Sequence, residues 1–191
     1  MRSAFGPTLS VFSTALGWLG VVGGGSAAAR GDASEDTPQV SYLTLGHPTA
    51  DEVQRNVQRM LAESGQSTQA VDVADWHPEL RTRIERYCAG ERVAFDDVPL
   101  ALRPHTEFQS RILESTRAIP YGQRISYAEL AQQAGYPRAA RAVGTVMSSN
   151  RLPLLIPCHR VVGSGGKLGG YSAPQGLTLK AWLLQLESGA E

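Results

Sequence analysis

Ile156-Pro157-Cys158-His159-Arg160-Val161-Val162 is the stretch on which the reading of this chain turns. The apolar run Leu152-Pro153-Leu154-Leu155-Ile156 leads into it. Pro157 fixes its own φ and removes one backbone donor, so the cysteine that follows is held on a constrained turn. A thiol is nucleophilic only as thiolate, and basic or cationic neighbours lower its pKa and take its proton. Here a histidine and an arginine follow directly. Adjacency does not by itself establish a Cys-His pair, because such pairs are usually joined by the fold. The plain alternative is a buried, inert cysteine at the end of a core strand.

Other blocks surround the cysteine in a definite order. Ile125-Ser126-Tyr127-Ala128-Glu129-Leu130-Ala131 comes first, Ala140-Arg141-Ala142-Val143-Gly144 next, and Asn150 stands eight residues before Cys158. With Pro157-Cys158-His159-Arg160-Val161-Val162 they resemble the O6-alkylguanine-DNA alkyltransferase family, from about Phe108 to Glu187. Four motifs in one order are far more specific than any one of them.

The resemblance implies a DNA-repair protein that moves the alkyl group of O6-alkylguanine, and less readily of O4-alkylthymine, onto Cys158 once and irreversibly. It implies Cys158, His159, Glu187, Tyr127 and Asn150 as the catalytic set. His159 would take the thiol proton through a water, Glu187 would orient it, and Tyr127 would donate to guanine N3. Asn150 would hold the turn. Arg141, Arg138, Ala140 and Ser164 would meet DNA, with Arg141 entering the base stack in place of the flipped nucleotide. Val161, Tyr171, Ser172, Pro153 and Met147 would line the base pocket. Double-stranded DNA carrying alkylated guanine is the implied partner, and no cofactor or metal is implied. A monomer inside the cell is expected, cytoplasmic or, in a eukaryote, nuclear.

The chain departs from the family in one place. Where the family commonly has a short glycine-containing step after the loop tyrosine, Tyr171-Ser172-Ala173-Pro174-Gln175-Gly176 is longer and carries a proline. Methyl transfer should survive that; the range of bulkier adducts is where it matters.

Charge is consistent with a nucleic-acid partner once the halves are separated. The chain as a whole balances 18 basic against 18 acidic residues. Residues 1–100 hold 8 Lys/Arg and 13 Asp/Glu, while 101–191 hold 10 and 5, so the half with Cys158 is the positive one. Only Lys167 and Lys180 are lysines, and arginine suits bidentate phosphate contacts. Cys88 and Cys158 show no CxxC or metal-ligand spacing, so a reducing compartment is expected. Arg2, the apolar Leu9 to Val22 and Ala27-Ala28-Ala29 faintly imitate a signal peptide. Ser, Thr and Gly interrupt the apolar part, so Leu16 to Val22 reads better as a strand and export is not expected; no run reaches membrane-span length.

Residues 8–22 and 40–45 read as two strands, joined by a Gly/Ala/Ser-rich connection expected to be poorly ordered at Gly31 to Thr37. Thr49 caps an amphipathic helix with Val53, Val57, Met60 and Leu61 on one face. A short strand from Ala70 to Ala74 precedes a helix over Pro78–Tyr87, whose stripe makes Cys88 a core residue; Arg92-Val93-Ala94-Phe95 reads as another strand. The Pro-punctuated Asp96 to Pro104 connector sets a domain boundary: 1–103 an α/β support domain, ribonuclease-H-like by the resemblance, and 104–191 a mainly α, winged-helix-like domain that binds DNA and accepts the alkyl group.

In that second part a helix carries Phe108, Ile112, Leu113 and Thr116, Ser126 and Glu129 form a capping box for the next, and a third spans Arg138 to Met147. The last two make a helix-turn-helix candidate. The second of them is rich in small residues that allow close approach to a groove. A glycine-rich loop after Cys158 lacks the phosphate-cradle pattern and reads as a wall over a substrate pocket, closed by a helix over Leu177–Leu186 with Leu179, Trp182, Leu183 and Leu186 inward. Three other functions compete. A recognition module that binds alkylated DNA without repair would lack the cysteine, a transcription factor leaves the Cys-His block unexplained, and a cysteine hydrolase has no need of Arg141.

Overall fold

The structure is a computed structural model that describes residues 7–24, 38–65, 71–103 and 105–189. The segment Gly31 to Thr37 therefore lies outside the described residues. Strand β1 (Thr8–Thr14) turns through Ala15 and Leu16 into β2 (Gly17–Gly24), and β2 pairs antiparallel with β3 (Gln39–His47). The apolar stretch 8–22 is thus a hairpin of two strands. Thr14 makes the turn local: its hydroxyl accepts from Leu16 N and donates to Gly17 O. Strand β4 (Asp72–Val73) is shorter than expected and adds parallel to β1, giving the order β3-β2-β1-β4.

Helix α1 (Ala50–Glu63) has Thr49 as its N-cap, accepting from Glu52 N, and buries Val53, Val57, Met60 and Leu61 against Leu9 and Val22 of the sheet. Helix α2 (Pro78–Cys88) packs on the other side with Leu80, Ile84, Tyr87 and Cys88 buried. The Cys88 thiol, pushed up to about 11 by burial, is inert core.

The Arg92–Phe95 segment is not a strand. Val93 and Phe95 are buried while Ala94 is exposed, so the alternation holds, but no ladder forms. Arg117 donates instead to the carbonyls of Phe95, Asp96 and Val98. Side-chain burial needs only a neighbouring surface; a strand also needs a partner backbone.

Helix α3 (Glu107–Arg117) opens with a Thr106/Gln109 capping box, and α4 (Tyr127–Gln133) with the Ser126/Glu129 box read from the sequence. Helix α5 is Ala140–Ser148, two residues shorter at its start than expected, because Arg138 has φ 77° and sits in the turn with Gly135, Tyr136 and Pro137. A left-handed residue cannot continue a right-handed helix. A two-residue parallel pair, β5 (Ile125–Ser126) with β6 (Val161–Val162), ties α4 to the cysteine motif. Helix α6 (Gly176–Glu187) closes the chain; Leu179 and Leu183 are buried with Lys180 and Leu184, whereas Trp182 and Leu186 are only half-buried.

One buried cluster joins the two halves, with Leu43, Leu45, Leu80 and Ile84 in contact with a body that includes Ile112, Leu130, Val143, Leu155 and Leu183. Leu43 N donates to Arg151 O at 2.9 Å, so the edge of the N-terminal sheet is fastened beside Asn150. Among the described residues no helix is long and apolar enough to cross a membrane.

Candidate active site

The run Leu152 to Ile156 is a succession of turns, not a strand. Leu154 takes φ 69°, an uncommon conformation for a branched side chain, while that side chain is buried in the core. Asn150 spans the turn from inside. Its Nδ2 donates to Ile156 O at 2.8 Å, and its Oδ1 accepts from Leu152 N at 3.1 Å. Cys158 then opens a single 3-10 turn, Cys158–Arg160, with its N–H donating to Ile156 O at 2.7 Å. All three residues of that turn are buried.

Burial raises the Cys158 thiol above its ordinary pKa, opposed by a hydrogen bond from Asn150 and the charge of Lys180. The thiol is therefore protonated at neutral pH and needs a base. His159, wholly buried, lies with Nε2 2.8 Å from Glu187 Oε1. Burial alone would push the Glu187 carboxyl up, but donation from His159 and Arg160 outweighs it and holds the group far below the carboxylate range. An ionised carboxylate only accepts, so Nε2 carries the proton and Nδ1 is the free lone pair. That nitrogen is buried with no partner among the described residues. Burial lowers the His159 pKa more than Glu187 raises it, which keeps the imidazole neutral.

Glu187 is buried at 5% exposure, so the last turn of α6 is no solvated helix end. Arg160 grips it with two bonds, Nε to Oε2 at 2.9 Å and a terminal nitrogen to Oε1 at 2.8 Å, and also donates to Ile119 O at 2.6 Å. Gly122 N adds a bond to Oε2 at 3.2 Å. Gly122 has φ 77°, and a Cβ there would stand 2.9 Å from Glu187 O, so both its conformation and its contact call for glycine.

The thiol lies between two cavities. One, of about 440 Å³, is lined by Tyr127, Gly144, Met147, Ser148, Tyr171 and Ser172 together with Cys158. The other, of about 510 Å³, shares Cys158, Met147, Tyr171 and Ser172 and reaches Asn150, Pro153 and the N-terminal strand β3. Tyr127, half-buried at the start of α4, keeps its proton because burial, and then Cys158, raise its pKa. Gly169, at φ 64°, lets the loop close on it, since a Cβ there would stand 2.9 Å from the Tyr127 hydroxyl. Ser172 donates to Ser148 O at 2.9 Å, joining loop to helix, and the Tyr171 hydroxyl is buried without a partner among the described residues. Val161 is buried, and its carbonyl accepts from Lys180 Nζ at 2.7 Å while retaining a second lone pair.

Arg138, Arg141 and Ser164 line neither cavity and stand exposed on the turn before α5, on α5 and in the glycine-rich loop; Ala140 is half-buried at the start of α5. The sequence-predicted set thus divides into a cluster around the thiol and a separate exposed group. Sequence reasoning assigns no role to Tyr87, Gly122 or Lys180, and takes Arg160 only as a cationic neighbour of the thiol, not as the partner of Glu187. Signals for two of them were present: a lysine inside the Leu179–Leu184 stripe, and a tyrosine on an apolar helix face, whose hydroxyl must find a partner when buried.

The match to known proteins agrees with this geometry. The family model described as the DNA-binding domain of 6-O-methylguanine DNA methyltransferase matches residues 107–189. A methylated-DNA--protein-cysteine methyltransferase of Methanosarcina acetivorans is 41% identical over 118 residues, 61% of this chain and 72% of that protein. The chain belongs to the 6-O-methylguanine DNA methyltransferase family. The Mycobacterium tuberculosis methyltransferase is 47% identical over 105 residues, 55% of this chain and 61% of that protein. Its crystal structure superposes with a TM-score of 0.72 at 30% identity, covering 97% of this chain and 95% of that one. A structure of Mycobacterium tuberculosis OGT in complex with DNA gives 0.69 at 31% identity, covering 95% and 92%. The likeness of structure thus extends over the mixed α/β N-terminal part as well as the helical C-terminal part.

Proposed function

We propose that this chain repairs DNA by direct transfer of the alkyl group of O6-alkylguanine, and less readily of O4-alkylthymine, to Sγ of Cys158, each molecule acting once. The observation that carries this reading is a buried, protonated thiol that lines a base-sized cavity beside a buried histidine and carboxylate. His159 Nδ1 takes the thiol proton through a solvent molecule, and Glu187 holds the imidazole that receives it. The S–C bond forms as the C–O6 bond breaks. Tyr127 donates to guanine N3, which steadies the leaving anion, and the proton lost by the thiol ends on the purine. The thioether has no easy hydrolytic route back, so the product stays on the protein.

An alkylated base inside a duplex is out of reach of a buried sulfur, so the nucleotide leaves the stack at a cost of a few kcal/mol. Exposed Arg141 fills its place from α5, with Ala140, Arg138 and Ser164 against the backbone. Met147, Pro153, Val161, Tyr171 and Ser172 form the pocket. Asn150 keeps the turn that presents Cys158. The order β3-β2-β1-β4, antiparallel but for its last strand, supports a ribonuclease-H-like description of residues 1–103. Helices α3 to α5 with the small β5-β6 pair support a winged-helix-like description of 104–191. The same reading takes the protein as an intracellular monomer. A recognition module without chemistry is disfavoured by the presence of Cys158.

The test is intact-protein mass after mixing with a duplex holding one O6-methylguanine, beside Cys158→Ala. A gain of one methylene per molecule, absent in the variant and levelling off at one equivalent, is expected. Binding without a mass change would overturn the catalytic reading.

A further inference from the structure

We propose that Tyr87, on α2 in the N-terminal half, is a positioning residue of the transfer site: its hydroxyl holds the Glu187 carboxylate against His159 and limits how basic that histidine becomes. The bond is short and buried, Tyr87 Oη donating to Glu187 Oε1 at 2.6 Å, and the same hydroxyl lies 3.5 Å from His159 Nε2. One oxygen, Oε1, therefore takes Tyr87, His159 and Arg160, while Oε2 takes Arg160 and Gly122. A carboxylate offers about four acceptor sites. Five donors leave none idle, and each donor draws on the charge the others share.

Glu187 and Lys180 face His159 from α6, Arg160 from its own turn, Cys158 from the adjacent position and Tyr87 from α2. Tyr121, from the turn after α3, and Tyr171, from the glycine-rich loop, face Glu187. Burial, and then Glu187, raise the Tyr87 pKa well above its ordinary value, so it remains a donor throughout the working range. Removing that donor leaves more of the carboxylate charge directed at His159 and stabilises the imidazolium. The histidine then titrates at higher pH and is neutral, and able to take a proton, over a narrower range. The N-terminal half thereby contributes to the chemistry of a motif 72 residues further along the chain.

Tyr87→Phe removes the hydroxyl and keeps the ring, which packs edge-on to Phe95 at 5.8 Å and Tyr121 at 6.0 Å. Two measurements are made on the full chain. The first is the single-turnover rate of transfer from an O6-methylguanine duplex across pH; this arm rests on the function proposed above. The second is the 15N-imidazole titration of His159, assigned with His159→Gln, which needs no DNA. The acid limb of the rate profile is expected to move up by about half to one pH unit in Tyr87→Phe. At its acid end the variant then falls about three- to tenfold further below its own plateau than the wild type does. The imidazole midpoint is expected to move in the same direction. Superimposable limbs and titrations overturn the proposal, even where the plateau rate or melting temperature drops, because that pattern marks packing alone. A wild type that transfers nothing defeats the functional reading, and the imidazole titration then decides this one.

Discussion

His159 and Glu187 are both buried and both titrate below their ordinary values, with consequences for stability that differ in range but share a sign. A group whose folded pKa is depressed binds its proton more readily in the unfolded chain, so acid favours unfolding. For His159 the loss begins as pH falls through 6.5, its unfolded value, and for Glu187 as pH falls through 4.5. Buried His47 and half-buried His77 are also depressed by burial and add to the first range. The melting temperature is expected to decline in two stages on acidification, read by calorimetry from pH 8 to pH 3. In Glu187→Gln the second stage should shrink and stability near neutrality should fall by about 3–5 kcal/mol, since Arg160 then stays buried without its anion. A single decline below pH 4.5 with no loss between there and 6.5 would show that His159 is not held neutral by the fold.

Helix α5 has two faces with different tasks. Val143, Val146 and Met147 are buried, while Arg141, Ala142 and Thr145 face outward and Gly144 stands half-exposed on the cavity wall. Glycine within a helix costs about 0.8–1 kcal/mol relative to alanine. A Cβ at Gly144 would meet nothing within 4 Å, so the free protein gives no steric reason for it. Gly144→Ala is expected to raise stability by about 0.5–1 kcal/mol in denaturant unfolding and to slow transfer from duplex DNA, where the added methyl occupies the approach to the cavity. Faster or unchanged transfer would place the base elsewhere. The helix cap beside it behaves differently: Ser126 and Glu129 satisfy each other's backbone donors at the start of α4 and in doing so fix Tyr127 as its first residue.

Across the whole molecule, charge is segregated while the apolar core is shared. Residues 101–191 carry ten basic and five acidic side chains, and exposed Arg138 and Arg141 lie in that half. Binding to duplex DNA should therefore release counterions: a fourfold rise in salt is expected to weaken affinity by about ten- to a hundredfold, measured by fluorescence anisotropy. A flat salt dependence would rule out this face as the contact. The local pattern of the sequence determined the helices and their caps, because 3.6-residue periodicity, Thr49, Thr106 and Ser126 act within a turn or two of where they stand. It also determined the Cys158-His159 adjacency and the motif order that identifies the family. Tertiary structure alone decided what each element met. Val93 and Phe95 alternate like a strand yet pack without a ladder, Arg138 leaves its helix by a left-handed turn, and Leu152 to Ile156 coils where its composition reads as a strand. Glu187 is held by groups that come from three separate stretches of the chain, one of them at Tyr87, 100 residues away. Periodicity and capping are short-range and written in neighbouring residues. The partner of a buried charge is set by which surfaces pack together, and no local pattern records that.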